Sequence, residues 1–138
     1  MNKSLEYYQS TLDEVCREYH LPLINVRWNE DLEGEKYKSV IPARTYFIHT
    51  APSLSWIELN PMTYKRCGIV HMRKFLLHEA AHYIHMTRYN IPAQLKKQSI
   101  QHGARFLSLC DKLGGIVGYY QMPEHLRSKY EHLITTKG

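Results

Sequence analysis

The pentapeptide His78-Glu79-Ala80-Ala81-His82 constrains this chain more than any other feature. Phe75-Leu76-Leu77 precede it, Ala80-Ala81 lie inside it and Ile84 follows, an apolar pattern that predicts a buried helix. Two imidazoles and a carboxyl on a buried helix need partners, because unpaired polar groups there are costly. Residues four apart on a helix differ by about 40° in azimuth and about 6 Å along the axis, so His78 and His82 can reach one ion. Glu79 points to the flank, where a carboxylate can hold a water rather than the ion. The pattern H-E-x-x-H therefore predicts a site for Zn²⁺, with His78 and His82 as ligands and Glu79 as general base. The competing expectation is a pair of core histidines satisfied by hydrogen bonds.

A zinc centre needs a third protein ligand. His85 has nearly the azimuth of His78 but lies about 10 Å further along the axis, too far to share an ion at about 2 Å. It is expected to support the site or face the surface, and His71 fails for the same reason. His102 is the better candidate. It is expected on a following helix that folds back across the first, with Gly103 beside it permitting close approach and Phe106 one turn on, beneath the site. Asp111, Glu124 and Glu131 are the carboxylate alternatives.

Around this centre the chain reads as α+β. Leu5, Tyr8, Leu12, Val15 and Tyr19 step by three and four, predicting a helix over 4–20 that Pro22 stops. Ile24 to Trp28, Thr45 to His49 and Ser55 to Leu59 are β-like, and Ala51-Pro52-Ser53 is a turn. They predict a small three-stranded antiparallel sheet. Asn29 to Lys38, with Gly34, reads as a loop. Asn60-Pro61 is a helix start, and a helical region runs to Tyr89 with a possible break at Gly68. Asn90-Ile91-Pro92 ends it. A further helix is expected from about Gln98 to Leu113, stopped by Gly114-Gly115, and a short terminal one over 124–134.

With 138 residues the chain is expected to form one domain, 1–138, with a core over about 5–115 and a C-terminal extension over 116–138. No C-x-x-C pair occurs, which excludes a zinc ribbon here, and three scattered cysteines do not make a disulfide framework. These features, with no apolar signal core in Met1–Ser10 and no membrane span, predict an intracellular setting without membrane association. The net charge of +5 favours a polyanionic partner only weakly, since no long run of like charges occurs.

His78-Glu79-x-x-His82 followed by His102-Gly103-x-x-Phe106 resembles the SprT-like zincin domain of the Spartan proteases. Trp56-Ile57-Glu58-Leu59-Asn60-Pro61 is similar to the strand before that family's active-site helices, and WLM zincins share the layout. The resemblance implies a zincin-like metallopeptidase with ligands His78, His82 and His102, base Glu79, and a protein or peptide substrate. It also implies action on DNA-associated proteins. Lys96, Lys97, Arg105 and Lys112 could meet DNA. Tyr83, Arg105, Tyr119 or Tyr120 could stabilise an oxyanion. Ser55–Leu59 is the expected edge for a substrate strand. The alternative is a non-catalytic zinc-containing module binding nucleic acid or protein. Glu79, and the lack of a cysteine placed to fill the fourth position, weigh against it.

Overall fold

A computed structural model describes residues 4–32, 41–89, 102–118 and 121–134, with backbone alone for 63–67. Helix α1 (Leu5–Glu18) turns Tyr8, Leu12, Val15 and Cys16 into the core, as its spacing predicts. Its Gln9 side chain stitches it to the next element. The amide Nε2 donates to the Ile24 carbonyl at 2.8 Å, and Oε1 accepts from the Val26 N–H at 2.8 Å.

Three strands follow, β1 (Asn25–Trp28), β2 (Ala43–Tyr46) and β3 (Trp56–Leu59), in the order β1-β3-β2. The sheet is mixed, not antiparallel as expected: β2 runs antiparallel to β3, but β1 runs parallel to it. Apolar alternation fixes which face a strand buries and says nothing of its neighbour's direction. Here the chain goes up, down and up, and the third strand inserts between the first two, so two parallel strands become neighbours. β2 also begins two residues earlier than expected. The inner face presents Val26, Ile57, Leu59 and Ala43 to the core. On the outer face Tyr46 and Trp56 stack at 4.9 Å, and Arg27 lies over Trp56 at 4.6 Å.

Helix α2 (Pro61–Arg88) starts as its sequence dictates. Pro61 sits in the first turn, and the Asn60 side chain accepts from the Met62 N–H at 3.0 Å. Gly68, at φ 77° and ψ −178°, breaks the helix. Beyond it Met72, Leu76, Leu77, Ala80, Ala81, Tyr83 and Ile84 are all buried, so this limb is central to the core. Helix α3 (Ala104–Leu113) packs across it and ends at Gly114 in the left-handed region. Residues 98–101, where that helix was expected to begin, lie outside the described residues, as do 90–92 and 33–38 of the expected turn and loop.

The tail forms two single 3₁₀ turns, Glu124–Leu126 and Glu131–Leu133, instead of a terminal helix. The Val117 N–H takes the Leu133 carbonyl at 2.8 Å, a carbonyl that a continuing helix would have used itself. Val117, Met122, Tyr130 and Leu133 join the same core as α1 and α2. Among the described residues, no helix is long and apolar enough to cross a membrane.

Candidate metal centre

His78 and His82 project from one face of the α2 limb. His102 comes from the turn just before α3, with Gly103 as that helix's N-cap, so it is not on the helix as expected. The three imidazoles converge: each offers a ring nitrogen, and these nitrogens lie within 4.8 Å of one another. Ring centroids are 4.8 Å (His78–His82), 4.9 Å (His82–His102) and 5.6 Å (His78–His102) apart. Phe106 is the floor beneath them. It stacks on His82 at 4.2 Å and meets the other two edge-on at 5.0 and 5.2 Å.

Protonation follows from the contacts. His78 Nδ1 donates to the Ile116 carbonyl at 2.7 Å, which puts its proton there and leaves the Nε2 lone pair facing inward. His82 Nε2 is 3.1 Å from that atom. Two nitrogens each about 2.0–2.1 Å from a tetrahedral zinc would be about 3.3 Å apart. Two histidines could satisfy each other by a hydrogen bond at this distance. The third cannot join them on those terms, because buried His102 Nε2 has no hydrogen-bond partner. Such an orphan is costly in a core and is what a cation would relieve. Burial holds all three imidazoles neutral: His78 falls to about 4 against a smaller opposing effect of the Ile116 carbonyl, and His102 to about 3. His82 falls well below its ordinary value, through burial first and then its histidine neighbours. Neutral and convergent, the trio fits a divalent ion.

Glu79 stands beside the trio with Oε2 3.7 Å from His78 Nε2, outside the ligand set. Burial pushes its carboxyl up to about 8, while hydrogen bonds from Thr45 and the charge of Arg44 pull it down. A carboxyl poised near neutrality is suited to exchanging a proton. Thr45 on β2 places its hydroxyl 2.9 Å from Glu79 Oε1 and 3.0 Å from the Glu79 carbonyl oxygen.

Other candidates are placed elsewhere. His85 is buried, with its ring edge-on to Tyr89, and is not at the surface. Asp111 Oδ1 accepts from His132 Nε2 at 2.9 Å on the exposed side of α3. Glu124 and Glu131 sit on exposed turns. Tyr83 donates its hydroxyl to the Pro22 carbonyl at 2.8 Å, and Arg105 lies over the Tyr89 ring at 4.2 Å, so neither aims at the trio. Tyr119, Tyr120, Lys96 and Lys97 lie outside the described residues. Ser55–Leu59 is not an edge, because β3 is the central strand; the edges are β1 and β2.

Thr45, Gly115 and Ile116 are contributions that the sequence did not announce. A Cβ on Gly115 would stand 2.6 Å from Cys110 Sγ and 3.1 Å from the His78 backbone nitrogen, so this glycine is the point of close approach to the ligand helix. Gly114 alone suffices to stop α3, and the second glycine of the pair was the available signal. A model of the SprT-like family matches residues 4–129. Neither a curated protein nor a solved structure matches the chain.

Proposed function

The chain belongs to the SprT-like family, and from that premise we propose that it is a zinc-dependent metallopeptidase with a zincin-like arrangement of sheet and helices. The observation that carries this reading is the convergence of His78, His82 and His102 beside a non-ligand carboxyl. Zinc, when bound, would supply a Lewis acid that polarises the scissile carbonyl and acidifies the attacking water. His78, His82 and His102 would hold it, with Ile116 orienting His78 and Phe106 closing the floor. Glu79 takes the proton from the water and passes it to the leaving amine. Held by three histidines, such an ion would still accept water or substrate.

The substrate is a protein or peptide whose extended chain pairs with the edge strand nearest Glu79. That strand is β2, since Thr45 touches the base. DNA-associated proteins are the favoured class. The chain is basic, and Arg88, Arg105 and Lys112 line one cleft of about 370 Å³. Among the described residues none of the three is in an ion pair; Arg88 and Arg105 rest over the Tyr19 and Tyr89 rings, which leaves their charge unneutralised for phosphates.

The test is Glu79→Gln. Cleavage of a DNA-bound protein substrate should fall by about 10²–10⁴-fold, with zinc content unchanged. Equal cleavage by both proteins would refute the role of Glu79. Zinc binding by both, with no cleavage of any substrate, would favour a non-catalytic module.

A further inference from the structure

The base is not positioned by its own helix alone. Thr45 Oγ1 is 2.9 Å from Glu79 Oε1, the carboxylate oxygen that is not directed at His78, while Oε2 lies 3.7 Å from His78 Nε2. The same hydroxyl is 3.0 Å from the Glu79 main-chain carbonyl, so it shares its one hydrogen between two acceptors of that residue; this ties the carboxyl to its own main chain and sets where the other oxygen points. The main chain of the same residue has a second orientation to offer. Pro42 and Asn60 face each other by extension of the β2–β3 register, and the Asn60 N–H donates to the Pro42 carbonyl at 2.8 Å. Hydrogen-bonded and non-hydrogen-bonded pairs alternate along an antiparallel ladder. Pro42, Arg44 and Tyr46 therefore direct their main-chain groups at β3. Ala43 and Thr45 direct theirs away from β3, to the side where the Thr45 N–H meets the Glu79 carboxyl and no strand of the described residues pairs with β2.

Resting on the peptidase reading, we infer that Thr45 is a positioning residue that links substrate docking to the base: its edge-facing C=O is placed to accept from the substrate strand, and its hydroxyl sets the rotation of Glu79. A substrate engaged at this edge is then held by the residue that aims the proton acceptor. Valine has the shape of threonine without the hydroxyl, and serine keeps the hydroxyl.

Thr45→Val should retain one zinc per chain and hold KM within about twofold, because the main-chain contacts remain. Its kcat should fall about tenfold, as expected when part of a general-base contribution is lost. Thr45→Ser should restore kcat to within about threefold. A second measurement needs no turnover. The melting temperatures of zinc-loaded Thr45→Val, Glu79→Ala and the double variant form a cycle, in which the double variant should melt no lower than the less stable single one. Wild-type kcat in Thr45→Val overturns the inference, and so does a double variant whose loss equals the sum of the single losses. If wild type cleaves nothing, the peptidase reading fails separately, while additivity in the melting cycle would still overturn the link between Thr45 and Glu79.

Discussion

At the scale of single residues, the centre is defined by what burial does to ionisable groups. The unfolded histidines titrate near 6.5, whereas folded His78 and His102 lie at about 4 and about 3, and His82 also lies well below 6.5. Below pH 6.5 the unfolded chain thus binds protons that the metal-free folded chain refuses, and stability falls as pH falls. Each histidine contributes a slope of at most about 1.4 kcal/mol per pH unit until its folded pKa is reached. Glu79 acts in the opposite direction. Raised from 4.5 to about 8, it binds its proton more readily when folded, which favours the fold as pH drops through that window. Among these four groups, three histidines against one carboxyl leave a net slope of at most about 2.8 kcal/mol per unit between pH 6.5 and 4.5, and His85, also held below its ordinary value by burial, adds in the same direction. The urea midpoint of metal-free protein should fall clearly from pH 7 to pH 5.5, and less steeply in His102→Ala. A flat or rising midpoint would contradict neutral burial of the trio.

At the scale of elements, α2 and the loop after α3 meet at Gly115. Alanine there would bring a methyl group against Cys110 Sγ and the His78 backbone nitrogen. Such overpacking costs about 1–3 kcal/mol. Because the displaced backbone carries His78, a proposed ligand, and the Ile116 carbonyl accepts the hydrogen bond from its Nδ1–H, Gly115→Ala should weaken zinc binding as well as lower the melting temperature. Competition with a chelator measures the first effect and thermal denaturation the second. Unchanged zinc affinity would show that the loop does not orient His78. Here the limits of legibility are physical. Asn60-Pro61, Gly68 and Gly114 were readable because caps and breaks are local chemistry. H-E-x-x-H was readable because helical periodicity alone sets its geometry. The direction of β1, the Thr45 contact and the Ile116 carbonyl depend on elements distant in sequence, and alternation or spacing encodes none of them. His102 was visible as a residue type at a motif position, but its place before the helix was not.

At the scale of the whole molecule, one core serves both stability and the centre. α1, the sheet, the part of α2 beyond Gly68, α3 and the tail through Leu133 enclose the same apolar interior. Through the Val117–Leu133 hydrogen bond the tail holds the segment that presents Ile116 to His78. The three histidines are thus fixed by the fold as a unit, and an ion bound to them would stabilise the folded state by mass action. The most direct measurement is elemental analysis of purified wild-type protein beside His102→Ala. Close to one zinc per chain in the former and its loss in the latter is the expected result. Full zinc retained by His102→Ala, or none in wild type, would contradict a centre built on these three histidines.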